Sequence, residues 1–269
     1  MTEQNRIDRR FAALGREGRK ALVTYLVAGD GGLGNTVPLM HQLVASGADV
    51  IELGVPFSDP MAEGPVIQKG HERALANGAS LRKCLALVQE FRQRDDVTPV
   101  ILMGYANPIQ RMGECAFADA ACEAGVDGAL TVDLPAEEAG PLNALLAERG
   151  LRTIFLLTPT TSDARIREIS ALASGFVYYV SLKGVTGAGH LDLDSVRDKL
   201  AHIRRFTGLP LCVGFGIKDG ASAQAVSAHG EGAVVGSVLV SAIGGAPDAT
   251  AARERVGAIV GEMRQALDR

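Results

Sequence analysis

The sequence offers little that would bind a nucleic acid, a membrane or a metal. It has no run of like charge: 27 basic residues stand against 31 acidic ones, a formal charge of −4, which leaves no electrostatic footprint for a nucleic acid or an anionic surface. No stretch reaches the uninterrupted apolar length of a membrane span. The opening "MTEQNRIDRRFAALGREGRK" lacks the apolar core of a secretory signal, so a cytoplasmic location is expected. Cys84, Cys115, Cys122 and Cys212 have no CxxC spacing; in a reducing compartment they are expected to be small buried hydrophobes. His41, His71, His190, His202 and His229 share no ligand spacing, so no metal is expected. No lysine sits at a clear strand end, which argues against a Schiff-base aldolase. Low-complexity linkers and abrupt composition shifts are missing too, and one domain is expected over residues 1–269.

What the chain does have is a repeated alternation of short apolar runs and helical patterns. The runs are "ALVTYLV" (21–27), "DVIEL" (49–53), "PVILMGY" (99–105), "GALTV" (128–132), "RTIFLL" (152–157), "FVYYVS" (176–181), "PLCVGFG" (210–216) and "GAVVGS" (232–237). Gly47, Gly125, Gly150, Gly175, Gly208 and Gly230 fall before the following strands and are expected to be helix C-caps. Eight such units in 269 residues, 47% of them hydrophobic, predict a parallel sheet closed into a (β/α)8 TIM barrel rather than an open sheet. Helical patterns also lie at the ends. Ile7, Phe11 and Leu14 precede the first strand as an extra N-terminal helix suited to plugging the barrel bottom; Val256, Ile259, Val260, Met263 and Leu267 follow the last.

The stretch "IELGVPFSDPMAEGPVIQ" (51–68) places Glu52 inside an apolar strand. Side chains alternate along a barrel strand, so if Ile51 and Leu53 face the helices, Val50 and Glu52 face the interior. Glu52 then lies near the C-terminal end of its strand, where barrel enzymes carry their active sites. Apolar walls raise a carboxyl pKa, which suits a group that gives and takes protons near neutral pH. The alternative is a Glu neutralised by a basic residue on a neighbouring strand.

The run from Glu52 through Pro60, continuing to Gly64-Pro65 and Ile67-Gln68, resembles the signature of the tryptophan synthase alpha subunit family. "AGD" (28–30), "YANP" (105–108), "DLP" (133–135), "GVTGA" (184–188) and "GFGI" (214–217) extend the resemblance over nearly the whole chain. It implies a lyase that cleaves indole-3-glycerol phosphate to indole and glyceraldehyde 3-phosphate by a retro-aldol reaction, without a cofactor, and passes indole to a pyridoxal-phosphate-dependent beta subunit in an alpha2beta2 assembly. By the same resemblance Glu52 is the acid/base and Glu63 is the second carboxylate, accepting the indole N–H. The family usually has Asp where this chain has Glu63, so the charge is kept while the reach grows by one methylene. Asp59 lies in an ordinary turn sequence and reads as loop structure or as a partner contact.

Barrels commonly hold phosphate at the loops after strands seven and eight and at the start of a short helix. Gly214 and Gly216 close the seventh run, and Gly236 and Ser237 end the eighth; a tight turn and a helix N-cap are the plain alternatives. The resemblance adds Gly187 to the phosphate group and makes Thr186, in the glycine-rich loop 181–190 that holds Lys183, a lid residue reaching the second carboxylate. It also places Tyr25, Tyr105 and Tyr178 near the indole ring or the glycerol, although tyrosines in strands are also simple packing. Tyr25 stands where phenylalanine is common, and its extra hydroxyl needs a partner. Asp133 reads as a helix N-cap or, by the resemblance, as a beta-subunit contact or a support for the active loop. Other readings are a phosphate-binding barrel isomerase, which has no reason to carry "ELGVPFSDP", a regulatory subunit that docks and cleaves slowly, or a free-standing lyase.

Overall fold

The computed structural model describes residues 5–181, 193–214 and 216–269. In chain order the first half comprises α1 (Arg6–Glu17), β1 (Ala21–Val27), α2 (Leu33–Ala45), β2 (Val50–Gly54), α3 (Pro65–Ala76), α4 (Leu81–Arg92), β3 (Val100–Gly104), α5 (Ala106–Met112), α6 (Glu114–Ala124) and β4 (Gly128–Thr131). There follow α7 (Gly140–Glu148), β5 (Arg152–Thr153), β6 (Phe155–Leu157), α8 (Asp163–Leu172), β7 (Val177–Val180), α9 (Leu193–Ile203), β8 (Leu211–Gly214), α10 (Gly220–Ser227), β9 (Gly232–Val235), α11 (Ser237–Gly244) and α12 (Ala249–Leu267).

Every strand pairing is parallel, in the order β5-β4-β3-β2-β1-β9-β8-β7-β6. The two ends of that order, β5 and β6, are separated in the chain by Ile154 alone. The Ile154 N–H donates to Ala129 O at 3.0 Å, so the sheet closes through a single run, residues 152–157, and forms a (β/α)8 barrel. Each of the eight apolar runs contains a strand; the fifth is divided at Ile154, and the eighth ends at Val235, leaving Ser237 to open α11.

Alternation sorts the strand side chains into two layers. Leu22, Ile51, Leu53, Leu102, Val213 and Val235 pack outward with the helices. Val23, Val50, Ile101, Leu130, Ile154, Phe176, Cys212 and Val234 fill the barrel interior together with Ile7, Phe11 and Leu14 of α1. The N-terminal helix therefore does plug the barrel, with the Phe11 and Phe176 rings 5.5 Å apart. Its polar side is pinned as well: Arg6 pairs with Asp127, Arg10 with Asp49, and Asp8 with Arg152. Asp49 and Asp127 also accept the N–H groups of Leu22 and Val100, both at 2.8 Å. Each buried carboxylate thus ties the plug to a strand backbone.

Two expectations need correction. Gly47, Gly125 and Gly150 have positive φ at the ends of α2, α6 and α7, but Gly175, although its φ is positive, lies beyond Ala173, which caps α8, and Gly208 and Gly230 have no positive φ. Gly208 lies well past the end of α9 at Ile203, and a Cβ on Gly230 would stand 2.7 Å from Leu211 O, so close packing explains the second. Cys84 and Cys212 are buried, whereas Cys115 and Cys122 are exposed, because they fall on the outer side of α6 away from Phe117, Ala118 and Ala121.

Asp49 has a fully buried side chain bonded to Arg10, to Arg264 at 2.9 Å and to the Leu22 amide. Removing one member strands buried charge, so Asp49→Ala is expected to cost about 3–5 kcal/mol, measured from the shift of the urea unfolding midpoint. A loss below about 1 kcal/mol would show the cluster to be worth no more than a surface pair.

Candidate active site

Above the interior layer the next inward positions are Tyr25, Glu52, Met103, Leu156 and Tyr178, with Tyr25 and Glu52 directly opposite each other in the β1–β2 register. Glu52 is 1% exposed. Among the described residues no lysine or arginine pairs with it, and its Oε1 has no hydrogen-bond partner. The described strands therefore offer no ion pair for Glu52. Burial, aided by the charge of Glu63, pushes the Glu52 carboxyl up to about 8, the direction desolvation imposes on an acid.

Glu63 lies on the loop between β2 and α3, and burial raises its carboxyl to about 7. Neighbouring groups hold that loop in place. Phe57 stacks on Tyr105 at 5.2 Å, the Ala62 N–H donates to Tyr105 Oη at 3.1 Å, and Gln68 Nε2 donates to Glu63 O at 2.9 Å. Pro65 occupies the first turn of α3, where its missing N–H costs nothing. Helix α3 is itself anchored to the end of β1 by Arg73, which clasps the buried Asp30 with bonds of 2.7 and 2.8 Å. The "AGD" segment is therefore the brace for the helix behind the carboxylate loop.

The tyrosines take different places. The Tyr105 hydroxyl accepts the Ala62 amide of the loop, which leaves its own hydrogen to donate. Tyr25 and Tyr178 point into the barrel, where burial comes first and the charges of Glu52 and Glu63 follow in raising both phenols well above their usual range. Each lies over a glycine two residues further up the next strand: a Cβ on Gly54 would meet Tyr25 Oη at 2.4 Å, and one on Gly214 would meet Tyr178 Oη at 2.3 Å. Gly214 thus has a packing reason of its own. Gly216 is exposed with φ +73°. Gly236 is the N-cap of α11 with no side chain to satisfy the first amides, and exposed Ser237 is the first helical residue rather than the cap. Asp133 Oδ1 accepts the Ala106 N–H at 2.7 Å, so it caps the start of the neighbouring α5. Thr186 and Gly187 lie outside the described residues.

A small cavity lined by Val55, Leu102, Tyr105 and Phe117 has a volume of about 10 Å³, room for roughly one water, and no carboxylate in its wall. Glu52 lies instead near the C-terminal end of β2, and Glu63 on the loop that follows that strand. The profile of the family described as "Tryptophan synthase alpha chain" matches residues 11–268. This chain belongs to that family. A tryptophan synthase alpha chain from Thioalkalivibrio sulfidiphilus is 58% identical over 265 residues, covering 98% of this chain and 100% of the relative. Among solved structures, tryptophan synthase subunit alpha from Legionella pneumophila is similar with a TM-score of 0.92 and 45% identity, covering 99% of each chain. A chain from the Pyrococcus furiosus tryptophan synthase a2b2 complex is similar at 0.82 and 38%, covering 91% of this chain and 98% of that one.

Sequence reasoning missed His71. It is 2% exposed and bridges the Phe57 amide and Tyr25 Oη, at 3.0 and 3.2 Å. Its one signal was position, since Gly70, His71 and Ala74 form the buried face of α3.

Because the folded-state pKa of Glu52 lies above its ordinary 4.5, the native state binds the extra proton between those values, and its stability falls as pH rises through about 8. Glu52→Gln removes that cost. The variant is expected to be more stable than the wild type by a few kcal/mol above this range, the difference vanishing below the unfolded pKa; thermal melts across pH check it. A difference that does not change with pH would contradict the assigned burial.

Proposed function

We propose that this chain cleaves indole-3-glycerol phosphate to indole and glyceraldehyde 3-phosphate, the alpha reaction of L-tryptophan biosynthesis, and passes indole to a beta subunit. The observation that carries the reading is the buried Glu52 carboxyl at the top of β2, whose Oε1 has no hydrogen-bond partner among the described residues and whose pKa is raised by burial and by the charge of Glu63. Family membership supports it.

Breaking the bond between indole C3 and the glycerol side chain requires C3 to gain a proton and the side-chain hydroxyl to lose one. Glu52, held protonated near neutral pH by its surroundings, gives its proton to C3. The carboxylate so formed then takes the hydroxyl proton as the carbon–carbon bond breaks, which restores the starting state. Protonation at C3 puts positive charge on the indole nitrogen. Glu63, less buried than Glu52, is the carboxyl that ionises more readily, and as an anion it accepts the indole N–H and stabilises that charge. Tyr25 and Tyr178 flank the ring or the glycerol, and Tyr105 acts by bracing the loop that carries Glu63. Phosphate is assigned to Gly214, Gly216, Gly236, Ser237 and Gly187, with the bare first turn of α11 as the strongest element; Thr186 is assigned to the lid.

The partner reading rests on the family and on the α2β2 assembly of the Pyrococcus relative. Met61, 83% exposed on the carboxylate loop, gives an apolar contact at the mouth for a second protein. In the described residues no helix is long and apolar enough to cross a membrane.

Indole release by the purified chain, alone and with a beta subunit titrated in, tests the reaction. Glu52→Gln is expected to lose roughly 100-fold or more of kcat. The pH profile of kcat/KM should be bell-shaped, limited on the acid side by Glu63 and on the basic side by Glu52, with Glu63→Gln abolishing the acid limb. Release that survives Glu52→Gln would remove the assigned acid; no release despite a formed complex would leave a docking subunit.

A further inference from the structure

His71 offers hydrogen-bonding atoms on both sides of its ring, and the geometry fixes which does what. The Phe57 backbone N–H, 3.0 Å from Nδ1, can only donate, so Nδ1 is the bare nitrogen. Burial pushes the imidazole down to about 4, so the ring is neutral at neutral pH and its one hydrogen is on Nε2. That hydrogen faces Tyr25 Oη at 3.2 Å, which makes the phenol the acceptor. The phenol's own hydrogen must point elsewhere, and among the described residues the hydroxyl makes no other hydrogen bond. Oη is seated over Gly54, where any side chain would collide with it, on the inward face shared with Glu52.

We propose that His71 is a positioning residue of this site: it accepts the Phe57 amide at Nδ1, donates from Nε2 to Tyr25 Oη, and thereby turns the phenolic hydrogen of Tyr25 toward the space beside Glu52. There the hydrogen is donated to the side-chain oxygen of the substrate that gives its proton to Glu52. Negative charge gathers on that oxygen as its proton departs, so a neutral donor aimed at it favours the transition state. The same imidazole tethers the loop that carries Glu63, through Phe57. This inference rests on the proposed lyase reaction for its substrate and on the hydrogen-bond geometry for everything else.

Four full-length variants and one spectroscopic reading test it. Tyr25→Phe keeps the ring over Gly54 and removes only the hydroxyl. His71→Asn keeps an acceptor near Phe57 but is too short to reach Tyr25, whereas His71→Gln keeps a donor for Tyr25. Ring ¹⁵N shifts at pH 7 are expected to show a bare Nδ1 and a protonated Nε2 in His71; a protonated Nδ1 or an imidazolium overturns the proposal whether or not the chain is active. In indole release, Tyr25→Phe and His71→Asn are each expected to lower kcat about tenfold, with the double variant no worse than either alone, while His71→Gln stays within about threefold of wild type. Losses that multiply in the double variant, or equal losses for His71→Asn and His71→Gln, would reduce His71 to a structural contact. A wild-type chain that releases no indole overturns the reaction, and the ¹⁵N reading then decides the hydrogen-bond direction alone.

Discussion

The site is organised around the cost of holding a carboxyl group inside an apolar barrel. Alternation along β2 leaves Glu52 no choice of direction: with Ile51 and Leu53 committed to the helix layer, its side chain must face the interior. Burial strips the group of solvent and, among the described residues, no cation pairs with it, so it keeps its proton far above the usual carboxylate range. The same desolvation that weakens the ionised fold gives Glu52 the raised pKa that the proposed proton transfers require. Stability given up at one residue is the condition of the chemistry there.

That cost requires a rigid frame, which the opposite end of the barrel supplies. Helix α1 closes the bottom with Ile7, Phe11 and Leu14, and its charged residues reach Asp49, Asp127 and Arg152. At the mouth, rigidity comes from tyrosines seated over glycines. Tyr25 with Gly54 and Tyr178 with Gly214 repeat one diagonal relation on different strand pairs. A glycine at each position lets a ring lie against the strand backbone, where any side chain would collide with it. The Glu63 loop is held from both sides, by Tyr105 at Ala62 and by His71 at Phe57. Such bracing places a Glu where a shorter acid is usual in the family.

Much of this was legible in the sequence because it follows from local periodicity. The period of two on β2 placed Glu52, the helical spacing of Ile7, Phe11 and Leu14 placed the plug, and the repeated runs placed the barrel. What escaped depends on contacts between distant segments. His71 looked unremarkable because ligand spacing is a one-dimensional test, whereas its role comes from α3 packing beside β1. Nothing local to Tyr105 shows that its hydroxyl accepts a backbone amide 43 residues away. Gly175, Gly208 and Gly230 read as caps because the chain shows a glycine before a strand without showing where the helix stops. The exposure of Cys115 and Cys122 turned on which side of α6 faces the core, a question that composition does not answer.

The central claim is that burial keeps a proton on Glu52 near neutral pH and that Glu63 helps to hold it there. Side-chain carboxyl ¹³C NMR, with Glu52 assigned by its loss in Glu52→Gln, follows that proton directly across a pH titration. The account predicts a midpoint near 8 that moves down when Glu63 is replaced by Gln. A Glu52 carboxyl that titrates at its ordinary value near 4.5, indifferent to residue 63, would contradict it.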